Sequence, residues 1–172
     1  AGETCWSTII TAGMAPGVAD SKYLNTGDEK GKEWIPAETD VSIRPGWFYH
    51  PKEDDKVRSP QNLVNLYYQS VGRNSLLLLN VPPNREGLLC PQDVAAIKEY
   101  RSILNETFKK NLAKSGKNKK LVDNKLDTWI NAPEKASIEI NLPKAATFDR
   151  FMVQENIAEG QRIAEAQLEY WD

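Results

Sequence analysis

The hydrophobic positions of this chain change their spacing twice. From residue 59 to 72, Leu63, Leu66, Tyr67 and Val71 recur at helical intervals. Ser59 is suited to cap that helix, Pro60 to open it and Gly72 to end it. Residues 75–81 form a continuous apolar run closed by Pro82-Pro83, the pattern of a short strand buried on both faces. Asn84-Arg-Glu-Gly87 reads as a turn, and Pro91 opens a second helix with Val94, Ile97, Arg101, Leu104 and Phe108 on one stripe. Helix, buried strand, helix is the repeat of an α/β layer or a (β/α) barrel. The elements are too few to close eight strands, so the expectation is the tail of a barrel.

Beyond residue 120 the period becomes two. Residues 136–142 alternate apolar and polar, and residues 148–153 and 163–171 do so more loosely, as half-buried antiparallel strands would. Residues 1–33 are rich in small and turn-forming positions and read mostly as loop, the kind of segment that frames active sites. The expected fold class is α/β then β: residues 1–112 as the C-terminal part of a (β/α)-type barrel, 113–120 as a linker, and 121–172 as the start of an antiparallel β-sandwich. The chain opens on Ala-Gly-Glu-Thr-Cys-Trp, with neither an initiating Met nor a signal peptide, and stops at Tyr170-Trp-Asp172 without a terminal turn. Both modules are therefore expected to be truncated, with uncovered strand edges that favour aggregation.

Composition narrows the function classes. A formal net charge of -2 over 172 residues creates no field that would gather nucleic acid. The one basic run, Lys109, Lys110, Lys114, Lys117, Lys119 and Lys120, has no interleaved aromatics and reads as a solvated helix end and linker. No apolar run reaches membrane-spanning length. Cys5 and Cys90 either pair or stay free, and with one histidine they do not make a zinc site. No cofactor is expected.

The densest chemistry lies in residues 34–50, Trp34-Ile-Pro-Ala-Glu38-Thr-Asp40-Val-Ser-Ile-Arg44-Pro-Gly-Trp47-Phe-Tyr-His50. Flat aromatic faces beside hydrogen-bonding charges match a sugar, which offers apolar C–H faces and a rim of hydroxyls. Trp47 is the first candidate for sugar contact, and core packing is its alternative. Glu38 and Asp40, two apart, share one side of an extended segment. Each contacts substrate, acts as an acid/base, or pairs with Arg44 to lock the loop. His50 is either a structural loop residue or a base, although no Gly-x-Ser-x-Gly elbow accompanies it for an esterase-type reaction. Asn80 sits at the C-terminal end of the apolar strand, where barrel enzymes place functional groups, or ties the Pro82-Pro83 turn; Asn74 flanks the other end. Asn105-Glu-Thr107 fits a glycosylation sequon on a predicted helix.

Several blocks together resemble glycoside hydrolase family 29, the α-L-fucosidases, and within it the branched-linkage (α-1,3/1,4) subgroup. They are Glu3-Thr-Cys-Trp6-Ser, residues 34–50, Ser70-Val-Gly-Arg-Asn74 through Asn80-Val-Pro-Pro-Asn84-Arg-Glu-Gly87, Leu121 through Asp127-Thr128-Trp129, and Phe148 through Gln161-Arg162. The resemblance implies retaining hydrolysis of terminal α-linked L-fucose from an oligosaccharide or glycoconjugate, on a barrel followed by a sandwich. It also implies a secreted, periplasmic or lysosomal setting and no nucleic-acid or membrane partner. Retention needs two carboxylates across the glycosidic bond. The family's nucleophile, the Asp of a Trp-Phe-Asp-Gly segment, is not in these residues. The subgroup's acid/base resembles the Glu of an Arg-Trp-Val-Gly-Asn-Glu segment, expected just upstream of Ala1. By motif no catalytic residue is carried over, Glu38 being the one candidate, and turnover by this chain alone is not expected. The implied substrate-binding set is Trp47, Glu38, Asp40, Arg44, Trp34, Trp6 and His50, with Trp34 and Trp6 on the aglycone side. A non-catalytic carbohydrate-binding module is the alternative. Asp123 through Trp129 resembles a turn of galactose-binding-like sandwiches that sometimes holds calcium, with Asp123 and Asp127 as ligands or as parts of a solvated turn.

Overall fold

The computed structural model describes residues 6–15, 17–18, 20–113 and 119–170. The chain divides into two compact units, Ala1–Asn105 and Glu106–Asp172. The linker expected at residues 113–120 falls inside the second unit, and residues 114–118 lie outside the described part.

Within the first unit two small sheets form a mixed α/β arrangement. Strand β1 (Thr8–Ile9) pairs antiparallel with β2 (Glu33–Trp34), with Thr8 opposite Trp34. Between them lies helix α1 (Ser21–Thr26), whose cap Asp20 accepts from the Lys22 N–H at 2.9 Å. Residues 1–33 are therefore less irregular than their composition suggests. Long-range bonds hold them: the Thr8 hydroxyl donates to the Asp28 carbonyl at 2.7 Å, and the Tyr23 hydroxyl bridges the Ile10 N–H and the Asp28 carboxylate. Gly27 closes α1 with φ +66° directly against the Trp6 carbonyl, a place only glycine fills.

The second sheet is a parallel pair, β3 (Glu38–Ser42) and β4 (Leu76–Asn80), in register from Glu38↔Leu76 to Ser42↔Asn80. Parallel strands need a crossover, and helix α2 (Pro60–Gln69) supplies it. The Ser59 hydroxyl caps α2 by accepting from the Asn62 N–H at 3.2 Å, with Pro60 in its first turn as expected. The helix stops at Gln69, three residues before Gly72, because Ser70 leaves helical geometry and donates from its side chain to the Leu66 carbonyl at 2.6 Å. Asn74, at φ 61°, makes the left-handed step into β4. Helix α3 (Pro91–Thr107) follows and ends just short of Phe108.

Side chains alternate across β3 and β4. On the helix side, Ile43, Leu63 and Ala96 form the buried centre, with Val57, Leu66, Leu79, Val81, Ile97 and Tyr100 packed around it. The other face is uncovered: Leu76 and Leu78 are 57% and 48% exposed, beside exposed Glu38 and Asp40. The apolar run thus forms the expected strand but is buried on one face, not on two. The run 38–42, read from sequence as extended and loop-like, is a strand in its own right; β-branched Thr39 and Val41 suit it.

The second unit departs further from expectation. Residues 136–142, 148–153 and 163–170 form no strand among the described residues, where only short 3₁₀ turns occur, at Lys119–Leu121 and Ile157–Glu159. A strand exists only when its N–H and C=O groups meet a partner's, and alternation alone supplies none. Apolar members of these runs stay in solvent, among them Ile138, Phe151, Met152 and Val153, all over 40% exposed.

Candidate functional site

Parallel pairing brings the C-terminal ends of β3 and β4 together, the end at which α/β folds place their ligands. Residues 43–50 cross that end. Their anchor is Arg44, only 2% exposed. Its Nε donates to Asp93 Oδ2 at 3.0 Å and its Nη1 to Asp54 Oδ1 at 2.8 Å, while the guanidinium lies 5.0 Å from the centre of the Tyr49 ring. Burial opposes the Arg44 charge, but the bonds to Asp93 and Asp54 outweigh it and hold the pKa above its ordinary value. Burial, and next the Asp54 charge, likewise raise the Tyr49 phenol against the pull of Arg44.

The structure places Arg44 beneath the loop, not on its open side. Its partners are Asp93 and Asp54, not Glu38 or Asp40 as its sequence neighbourhood suggested. Asp93, in the first turn of α3, carried no signal in the sequence beyond an acid near a helix N-terminus. Cys90 just before that helix is a buried free thiol, and Cys5 lies outside the described residues.

Above this anchor the aromatics face outward. Trp47 is 51% exposed and Phe48 77% exposed. His50 is exposed and precedes the 3₁₀ turn Pro51–Glu53 without capping it through its side chain. Asn80, at the end of β4, donates from Nδ2 to the Trp47 carbonyl at 2.9 Å and to Ser42 Oγ at 3.0 Å. Asn80 therefore ties the Trp47 turn, not the Pro82-Pro83 turn. Asn74 ties β4 back to the first strands by donating to Ser7 Oγ at 2.7 Å.

Glu38 and Asp40 share the open face but not one depth. Glu38 is the first residue of β3, four residues before Ser42. At about 3.3 Å per residue, that is roughly 13 Å from the end that carries Trp47. Asp40 is midway. Trp34, 48% exposed, ends β2 opposite Thr8, and half-buried Trp6 lies against Gly27. The structure thus gathers Trp47 and His50 at one strand end, with Asp40 on the adjoining face. Glu38 lies at the far end, Trp34 belongs to the other sheet, and Trp6 precedes that sheet's first strand.

Asp123 accepts from the Lys125 N–H at 2.9 Å and from the Thr128 hydroxyl at 2.8–2.9 Å, and these bonds, the Lys125 one first, hold its pKa below the ordinary carboxylate value. Its oxygens lock a turn that the sequence offered to calcium. Among the described residues no group of three His, Cys, Asp or Glu able to hold a metal ion occurs. No described helix is long and apolar enough to cross a membrane.

A family model for alpha-L-fucosidase matches residues 13–107, more than half of the chain. The chain belongs to the α-L-fucosidase family, glycoside hydrolase family 29. Members of this family are glycosidases. Alpha-L-fucosidase 1 of Arabidopsis thaliana is 37% identical over 98% of this chain and 37% of its own length. The solved structure of SpGH29 superposes with a TM-score of 0.69 at 34% identity, over 74% of this chain and 30% of that one. A Ruminococcus gnavus GH29 fucosidase solved in complex with fucose gives a TM-score of 0.62 at 28% identity, over 74% of this chain and 29% of that one. The chain spans about 37% of the length of this fucosidase relative from Arabidopsis. The Trp47 loop, β3, β4 and α2 all lie inside the residues matched to the fucosidase family.

Proposed function

We propose that this chain builds one wall of the substrate site of a retaining α-L-fucosidase of the branched-linkage subgroup, which releases terminal α-1,3/1,4-linked L-fucose from glycans. The observation that carries the reading is the exposed Trp47 ring at the shared C-terminal end of β3 and β4, held from below by a buried Arg44–Asp93 pair. Fucose presents a C6 methyl group and an apolar ring patch, and an aromatic wall suits both. Asp40 and His50 supply hydrogen-bonding groups near that wall, and Trp34 and Trp6 extend toward the aglycone. Family membership supports the substrate class.

In this reading the nucleophile and the acid/base come from sequence outside these 172 residues, because neither family motif occurs within them. The nucleophile attacks the anomeric carbon as the acid protonates the leaving oxygen. Water then hydrolyses the glycosyl-enzyme with the second group acting as base, giving net retention. The parallel β3–α2–β4–α3 succession supports a (β/α) barrel for the parent fold, with the second unit as part of a β-sandwich and a secreted, periplasmic or lysosomal setting. Glu38, one strand length below the loop, is a contact of the barrel interior and not the acid/base.

The test is turnover of an aryl α-L-fucoside by the complete gene product. Re-exposing a half-buried indole forgoes about 1.5 kcal/mol of apolar contact, so Trp47→Ala is expected to raise KM roughly tenfold. Glu38→Gln is expected to change kcat less than about threefold, far below the loss of a catalytic acid. Absence of fucoside hydrolysis sinks the proposal. Loss of turnover in Glu38→Gln, with KM unchanged, hands the acid/base role back to Glu38.

A further inference from the structure

The Trp47 ring has no aromatic or cation–π partner among the described residues, and its backbone carbonyl is fixed by a hydrogen bond. That backbone is held by one side chain from outside the loop. Asn80 donates one amide proton to the Trp47 carbonyl at 2.9 Å and the other to Ser42 Oγ at 3.0 Å. Ser42 in turn gives its only proton to the Gly46 carbonyl at 2.7 Å, and its remaining lone-pair side faces the Arg44 N–H at 3.4 Å. Both Asn80 amide protons and the Ser42 proton are thus committed toward the turn, while Ser42 Oγ accepts from Asn80 and from the Arg44 N–H. The Asn80 backbone carbonyl also accepts from the Ile43 N–H at 2.9 Å, which fixes Asn80 itself to the start of the loop. Gly46 has open space where a Cβ would sit and no positive φ, so the turn is not held by glycine geometry.

We propose that Asn80 is the positioning residue for Trp47: its two-proton amide latches both carbonyls of the Gly46-Trp47 turn, one directly and one through Ser42, and so sets the indole against the sugar. This rests on the reading of Trp47 as the fucose wall. A neutral amide is required at this position. A carboxylate offers no proton to the Trp47 carbonyl and competes with Gly46 for the one proton of Ser42. Asn80 is half-buried at a strand end, so the change touches the latch and not the packed centre.

The experiment is a double-mutant cycle in the complete gene product, read as KM and kcat on an aryl α-L-fucoside. Asn80→Asp is expected to raise KM up to about tenfold, the upper end of the effect of one lost hydrogen bond, with kcat within about threefold. In a Trp47→Ala background the same change is expected to add less than about twofold, because there is no ring left to position. If Asn80→Asp is insoluble, Asn80→Ser, which keeps one donor, replaces it in the cycle. Equal penalties in both backgrounds, or an unchanged KM in the single variant, overturn the role of Asn80 and leave the Trp47 reading intact. An unchanged KM in Trp47→Ala overturns the Trp47 reading itself, and the latch falls with it.

Discussion

Replacing Asp93 by Asn tests the anchor under the loop. The Arg44 and Asp93 side chains are both 0% exposed, whereas Asp54, the second partner of Arg44, is 35% exposed. Attraction between charges is weakly screened in the first case and well screened in the second. Stripping the charge from Asp93 leaves Arg44 buried with one half-solvated counter-ion, and removing one member of a buried pair typically costs about 3–5 kcal/mol. Asparagine keeps the shape and one acceptor, so the expected loss is about 3 kcal/mol. Asp54→Asn is expected to cost about 1 kcal/mol, and Glu106→Ala, which breaks the exposed Lys109 pair, less than about 0.5 kcal/mol. Arg44 Nη2 and Asp93 Oδ1 are also buried without a hydrogen-bond partner among the described residues, so the pair is incompletely satisfied. An apolar replacement of both residues, Arg44→Met with Asp93→Leu, should therefore lose less stability than either single change. The assay is urea unfolding of each variant, followed by tryptophan fluorescence and repeated at high salt, where the Asp93 effect persists and the Glu106 effect vanishes. Equal losses for Asp93→Asn and Asp54→Asn would refute the claim that burial makes the first pair dominant.

Two further outcomes follow from local geometry. Gly27→Ala forces a side chain into the Trp6 carbonyl at a φ and ψ that only glycine adopts readily, and is expected to cost about 3 kcal/mol, seen as a lowered Tm with loss of the α1 amide protection. Asp123 has a depressed folded pKa, so its contribution to the 123–128 turn is complete above the unfolded value of about 3.9 and is lost as pH falls through the lower folded value. Its carboxyl resonance should titrate with a midpoint below about 3.9, moving upward in Thr128→Val, and a wild-type midpoint at or above the unfolded value counts against the turn lock.

Much of the local structure was legible because its causes are local. Ser59 and Pro60 announce α2, Pro91 announces α3, and the four consecutive leucines ending at Asn80 announce β4. The aromatic and charged block at 34–50 marked the site region, and its motifs marked the family. β3 was hidden because its charged positions, Glu38 and Asp40, occupy one face of the strand and masked the β-branched residues on the other. Arg44 was misplaced for a related reason. The acids nearest it in sequence, Asp40 and Glu38, are four and six residues away, while its true partners are ten and forty-nine residues away.

Residue chemistry by itself determined helices α2 and α3, the apolar strand, the sugar-compatible block and the kinship with fucosidases. Tertiary structure decided which of those polar groups face outward. Parallel pairing of β3 with β4 set Asn80 beside Trp47, thirty-three residues away, and buried Arg44 against Asp93. In the second unit the alternating runs found no partner strand among the described residues and stayed unpaired. The physical reason is the same in each case. Spacing along the chain fixes the side of an element on which a residue falls, but a hydrogen bond or a buried charge is completed only by the group that packing brings against it.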